Sequence, residues 1–325
     1  MKTGRLTKGF FIAVFLFVAA PVHAAEYANP QLLLTPSDVE KNMGRPDWVV
    51  IDCRDEKAYG GGHIPGAISL GGACGRVLRD PTHREKKTGD LEKMLGDAGV
   101  SMEKHVVLYA DAKLITSTSV AFWILEHLGH DKVHVLNGGI EAWHDAGKGL
   151  EKESRKLPAE TFRAKVVKSR LATTDEVVKA AKGEVKGVNV IDSRSEKEHA
   201  GADIRALRGG HIPYTTMNVS HIKTYDVQSG TIHSMDDLES LFGKLDKGKR
   251  TIAYCQTGTR STLTYLELRL MGFKEPANYD DSWIVYGSNV DYPVANENWY
   301  DFVKVNDTVK AVEELKKAVE ELKKQ

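Results

Sequence analysis

The chain has little cysteine, no net charge and, after its first 25 residues, no apolar run long enough to cross a bilayer. Three cysteines in 325 residues cannot form a disulfide scaffold, and no CxxC pair offers a zinc site. Lys and Arg number 45 and Asp and Glu also 45, so the formal net charge is zero. Broad electrostatic attraction to nucleic acid or to an anionic membrane is thereby disfavoured, although a local basic cluster can still bind a small anion. Hydrophobic residues at 41% and charged residues at 28% are ordinary for a globular protein and argue against wholesale disorder. The length suggests two domains, each large enough to bury a core.

The N-terminus reads MKTGRLTKGFFIAVFLFVAAPVHAAEYANP. Lys2, Arg5 and Lys8 precede an apolar run over residues 9–20, and Val22-His23-Ala24 offers small residues for cleavage. A spanning helix needs roughly 20 apolar residues. The pattern predicts a secretory signal peptide over residues 1–24 and an exported, periplasmic protein that leaves the membrane after cleavage. An uncleaved anchor is the alternative.

The remainder repeats itself. Val49-Val50-Ile51-Asp52-Cys53-Arg54 is echoed by Asn189-Val190-Ile191-Asp192-Ser193-Arg194, and each is followed by Gly-Gly-His-Ile-Pro, at residues 61–65 and 209–213. VVLYA at 106–110 matches TIAYC at 251–255, and VHVLNGGIEAW at 133–143 matches PANYDDSWIVY at 276–286. Apolar runs that end in a polar corner are what buried parallel strands require. Two copies of strand, loop, strand, helix, strand predict two α/β domains, each a parallel sheet flanked by helices. The first covers residues 25–147 and the second 161–303, joined by a charged linker at 148–160 that Pro158 stiffens.

Residues 304–325 differ. AVEELKK occurs twice, and Val312, Leu315, Val319 and Leu322 fall at heptad spacing between Glu and Lys. This predicts an amphipathic helix. Two heptads form a marginal coiled coil, so packing on the chain's own body is favoured over a homo-oligomer through this helix.

The segment TIAYCQTGTRST at 251–262 carries the chemistry. An apolar strand runs into Cys255, a loop with Gly258 follows, and a helix then starts. A thiol between strand end and helix start faces unpaired N–H groups and the positive end of a helix dipole, which stabilise thiolate. Gly258 lets the loop curl until its amides converge. Arg260 adds a permanent cation able to hold an oxyanion. A buried, inert cysteine is the bland alternative.

Cys-x-x-Gly-x-Arg-Ser after a strand resembles the active loop of the rhodanese sulfurtransferases. The repeated I-D-x-R and G-H-I-P segments and Asp280-Asp281-Ser282-Trp283 are of the same kind. The likeness spans about residues 30–303. It implies a two-domain sulfurtransferase in which Cys255 carries a persulfide. The first half, with Ala110 at the matching position, completes the site without reacting. The partners implied are a small anionic donor, thiosulfate or mercaptopyruvate, and a thiol, cyanide or other nucleophile as acceptor, with no metal or organic cofactor. A persulfide carrier or delivery protein, or a binding protein, with little free turnover is the second reading. Cysteine phosphatases share the architecture but place Arg six residues after Cys, whereas Arg260 is five after Cys255 and Ser261 holds the sixth position.

By the same resemblance Gln256, Thr257, Gly258, Thr259 and Arg260 line the substrate. Gln256 and Thr257 replace the early cations of the thiosulfate type, Cys-Arg-Lys-Gly-Val-Thr, and Thr257 keeps a hydroxyl where the mercaptopyruvate type, Cys-Gly-Ser-Gly-Val-Thr, has serine. Arg194 matches a substrate-contacting arginine, against the alternative of an ion pair with Asp192 or Glu196. Arg205 and Arg208 are weaker candidates. Asp52 and His63 match first-domain residues that reach the site in mercaptopyruvate enzymes, although the repetition of His63 as His211 favours a turn-bracing role. Cys53 and Cys74, 21 residues apart, are read as two buried free thiols, with a disulfide as the alternative.

Overall fold

The computed structural model describes residues 26–323. The expected signal peptide, and with it the periplasmic address, lies outside the described residues. The first half contains strands β1 (Leu33–Leu34), β2 (Trp48–Asp52), β3 (Ile68–Ser69), β4 (His105–Tyr109) and β5 (Val133–Leu136). They form one parallel sheet of order β1-β5-β4-β2-β3. Its helices are α1 (Pro36–Asn42), α2 (Glu56–Gly61), α3 (Cys74–Val77), α4 (Thr88–Asp97), α5 (Ile115–His127) and α6 (Gly139–Asp145).

In the second half β6 (Asn189–Asp192), β8 (Met217–Asn218), β9 (Arg250–Tyr254) and β10 (Glu275–Asn278) make a parallel sheet of order β10-β9-β6-β8. An antiparallel ribbon pairs β7 (Arg208–His211) with β11 (Ala295–Trp299). The helices are α7 (Thr174–Ala181), α8 (Glu196–His199), α9 (Met235–Phe242), α10 (Arg260–Leu270), α11 (Ser282–Tyr286) and the terminal α12 (Phe302–Leu322).

The central strands are apolar without alternation because both faces are covered. Val49, Ile51, Val106 and Leu108 point into one core, and Val50, Val107 and Tyr109 into another with Val39 of α1 and Trp143 of α6. The first of these cores does not stop at the domain boundary. It runs through Val120, Phe122 and Ile124 of α5 into Leu263, Leu266 and Leu270 of α10. Each of these two helices is wedged between its own sheet and the other half, and each is buried nearly all round. Ser119 and Thr262 hydroxyls meet at 2.8 Å across the contact, and buried Glu126 accepts from Tyr265 (2.6 Å) and Arg269 (3.0 Å) and pairs in charge with Arg170 (2.7 Å).

The connecting segment is laid along the first half. The N–H groups of Glu160, Lys165 and Val167 donate to the carbonyls of Gly96, Leu128 and His127. Residues 161–167, which the repeat assigns to the second half, thus bond to the first.

Two expectations are corrected. Cys53 and Cys74 form a disulfide, with Cα atoms 4.7 Å apart. The N–H of Cys74 bonds the carbonyl of Cys53 and so docks the start of α3 on the end of β2, a proximity that a 21-residue separation does not disclose. The tail does not pack on the body. Every residue of α12 except Val305 is exposed, with Leu315 at 65% and Leu322 at 68%. A stripe of two apolar positions per heptad is too narrow to hold a helix against a globular surface.

Candidate active site

Tyr254 ends β9, Cys255 follows, residues 256–259 form the loop and Arg260 opens α10. Cys255 is fully buried and is the one free cysteine among the described residues. Its own N–H donates to the hydroxyl of Ser282 at 2.9 Å, and that hydroxyl donates to the Tyr279 carbonyl at 2.8 Å. Ser282 has φ +50°, in the left-handed region that L-residues rarely occupy. The N–H groups of Trp283 and Ile284 then bond the carbonyls of Cys255 (3.0 Å) and Gln256 (2.8 Å), clamping α11 onto the loop.

Gly258 has φ +71°, and a Cβ there would lie 2.5 Å from the Asp280 carbonyl oxygen. The left-handed glycine followed by right-handed Thr259 makes a nest of N–H groups. Among the described residues none of the N–H groups of Gln256, Thr257, Gly258 or Thr259 bonds a backbone carbonyl. Full burial raises the Cys255 thiol, but Arg260's charge, the Ser261 hydroxyl and the N–H groups of Ser261 and Thr257 outweigh it and bring it below an ordinary thiol. The Ser261 hydroxyl is 3.5 Å from Cys255 Sγ and 2.6 Å from Asn278 Oδ1, so its single proton can serve either.

Arg260 is engaged by Glu198, with guanidinium nitrogens at 2.7 and 2.8 Å from the two carboxylate oxygens. Burial raises Glu198, yet the hydrogen bonds and charge of Arg260, with Ser195, hold it down to about 2. His221 lies close enough to feel Arg260. Burial first, then that cation, push its imidazole down to about 4, and its Nδ1 is buried without a hydrogen-bond partner.

Arg194 is 1% exposed, donates to Asp192 and to the Gly210 carbonyl, and stacks over Trp283 at 4.5 Å. The first half repeats this arrangement: Arg54 donates to Asp52 and to the Gly62 carbonyl, and Tyr109 donates to Asp52 as Tyr254 does to Asp192. A brace present in both copies serves the strand end first. Arg194 Nη1 makes no hydrogen bond to the described protein. Asp52 is spent on Arg54 and Tyr109, while His63 stacks on Tyr59, bonds its carbonyl and faces Glu151. None of these contacts reaches the second half. Gln256 donates to the carbonyl of Arg205, whose side chain is 52% exposed beside Asp203. Arg208 is buried against Glu297 and backbone carbonyls.

The first-half residue that does enter the loop is Arg79. It bonds Thr257, Gly258, Thr259 and Asp280. No motif singles it out, and only the packing of the halves brings it here. Glu198 and Asn278 belong to the same half as Cys255 and reach Arg260 and Ser261 through its own tertiary packing, whereas Ser261 and Ser282 lie inside motifs that the sequence displays. Among the described residues no cluster of three or more His, Cys, Asp or Glu is placed to hold a metal ion.

A repeated parallel α/β fold with one free thiol cradled at a helix start, and alanine at the matching point of the other copy, defines a tandem-domain α/β protein with a single cradled cysteine. Residues 35–146 and 173–288 each match the Rhodanese-like domain, and the chain belongs to the rhodanese family. It is 34% identical over 285 residues to a candidate thiosulfate sulfurtransferase of Saccharopolyspora erythraea, covering 83% of this chain and 98% of the relative. The thiosulfate sulfurtransferase of Corynebacterium glutamicum is 28% identical over 295 residues, 86% of this chain and 96% of the relative. Among solved structures, the 3-mercaptopyruvate sulfotransferase of Escherichia coli superposes with TM-score 0.67 at 24% identity, over 78% of this chain and 98% of that one. The anaerobic ergothioneine biosynthesis enzyme of Chlorobium limicola gives TM-score 0.72 at 20% identity, over 82% and 71%. At such identities these two structures speak to the fold alone.

Proposed function

We propose that this chain is a rhodanese-type sulfurtransferase that moves a sulfane sulfur from thiosulfate or mercaptopyruvate through a Cys255 persulfide to a thiol, cyanide or another nucleophile. The observation that carries this reading is Cys255 itself, held below an ordinary thiol despite full burial by Arg260, Ser261 and loop N–H groups. The thiolate attacks the outer sulfur of the donor and a Cys255 S–S bond forms. The donor's bond to that sulfur breaks, and its electron pair leaves with sulfite or with the pyruvate enolate. The acceptor then attacks the outer sulfur and returns the Cys255 thiolate. Arg194 Nη1, the half-exposed Arg205 and the residues from Gln256 to Arg260 are the proposed donor contacts. The names of the curated relatives favour thiosulfate, whereas Thr257 in place of a cation keeps mercaptopyruvate in play.

Steady turnover with thiosulfate plus cyanide, set beside mercaptopyruvate plus a thiol, separates the donors. Cys255→Ser is expected to abolish both. Mass spectrometry of donor-treated protein is expected to add one sulfur to the Cys255 peptide. A persulfide that forms without turnover in either assay would leave the carrier reading standing, and a Cys255 peptide that never gains sulfur would end both. Export after loss of residues 1–24 and self-association through α12 are separate proposals, checked by N-terminal sequencing of the secreted protein and by sedimentation with and without residues 305–325.

A further inference from the structure

Each carbonyl of the Cys255 loop is held from outside. Trp283 and Ile284 N–H groups take Cys255 and Gln256, and Thr262 takes Thr259 through its N–H and its hydroxyl. The two middle carbonyls both accept from one side chain of the other half, and Gly258 O accepts from Asn278 Nδ2 as well, at 3.2 Å. Arg79 Nη1 donates to Thr257 O at 2.9 Å and to Thr259 Oγ1 at 3.0 Å, and Arg79 Nη2 donates to Gly258 O at 3.1 Å and to Asp280 Oδ1 at 2.5 Å. A planar trans peptide points its N–H opposite its C=O. Drawing the carbonyls of Thr257 and Gly258 toward Arg79 therefore turns the N–H groups of Gly258 and Thr259 away from it, toward the concave side of the loop.

The arginine is itself immobilised. Its side chain is 1% exposed, its guanidinium lies over Trp123 at 5.9 Å, and its counter-ion Asp280 also accepts the Glu85 N–H at 3.0 Å. It follows α3 directly, and α3 is tied to the sheet by the Cys53–Cys74 disulfide. A rigid fork that spans two carbonyls and a carboxylate is a task for guanidinium, which an ammonium cannot reproduce.

We propose that Arg79, supplied by the half without a thiol, is a positioning residue for sulfur transfer: it fixes the loop backbone from Thr257 to Thr259, and with it the N–H groups that face the charge passing through Cys255. The inference rests on the sulfur-transfer reading of Cys255. It also gives the first half a mechanical part in the site, since among the described residues none of the second half reaches the carbonyls of both Thr257 and Gly258.

The test measures the pH dependence of Cys255 alkylation by iodoacetamide, a small neutral probe that needs no sulfur donor. Cys255 is the sole free thiol, so the rate is specific. In Arg79→Ala the thiolate midpoint is expected to rise by about one pH unit, roughly a tenfold loss of rate below the midpoint. Added guanidinium ion is expected to restore part of it. Arg79→Lys keeps the charge and fills the space, so it keeps the test alive should the alanine variant fail to fold. Its midpoint is also expected to rise, and its kcat with thiosulfate and cyanide to fall more than its KM changes. A folded Arg79→Ala or Arg79→Lys with wild-type midpoint and kcat overturns the proposal, as does a variant that loses only melting temperature. If wild-type protein transfers no sulfur yet the midpoint still shifts, the functional reading fails while the positioning role survives.

Discussion

Gly258 shows at the scale of one residue how tightly the loop is built. A methyl group there meets the Asp280 backbone and demands φ +71° of an L-residue. Strain of this kind costs roughly 1–3 kcal/mol. Gly258→Ala is therefore expected to cut turnover at least tenfold while leaving the far-ultraviolet circular dichroism unchanged, and wild-type kinetics would show that the loop has slack. His221 gives a pH signature. Its folded value of about 4 lies below its ordinary 6.5 because burial and Arg260 disfavour the charged form. Between these values the unfolded chain binds a proton that the native state refuses, so stability falls as pH drops from 6.5 toward 4. Melting temperatures across that window are expected to slope less in His221→Gln, and an unchanged slope would remove His221 from the account.

At the scale of elements, α3 matters most for its size. Four residues cannot hold a helix by themselves. Its place comes from the Cys74 N–H bond to the Cys53 carbonyl, the disulfide, and the Gly75 N–H bond to the Ser117 hydroxyl at 2.9 Å. In the second half the same backbone bond joins His221 to Ser193, without a covalent link. Closing a loop of separation 21 contributes about 3 kcal/mol in the chain-entropy picture. The double variant Cys53→Ala with Cys74→Ala is expected to melt on the order of 5–10 °C lower. Treatment of the wild type with a dithiol reductant is expected to do the same, and equal melting curves would mean that packing alone holds α3.

For the whole molecule, the two halves share one apolar core through α5 and α10 and one polar network around Arg79, so they are expected to unfold together. The tail stands outside this unit. Removing residues 305–325 takes away almost no buried surface. Turnover and melting temperature of the shortened chain are expected to match the full one, and a fall of several degrees would show that α12 is covered in solution.

The sequence by itself determined what depends on local pattern. Strands at Asn189–Asp192 and around VVLYA and TIAYC follow from unbroken apolar runs, and the loop from Cys255, Gly258 and Arg260 at set spacing. The repeat discloses two halves because I-D-x-R and G-H-I-P brace the same strand end in each, through Asp52 and Arg54 in one and Asp192 and Arg194 in the other. Only the tertiary structure decided what depends on distance between remote segments. Arg79 and Asp280 are 201 residues apart and meet at 2.5 Å. Cys53 finds Cys74 because α3 docks on β2, and Arg260 finds Glu198, 62 residues away. Periodicity and turn chemistry are properties of neighbouring residues and survive in a one-dimensional reading. Ion pairs, disulfides and the choice between a packed and an exposed helix depend on which surfaces the folded chain brings together.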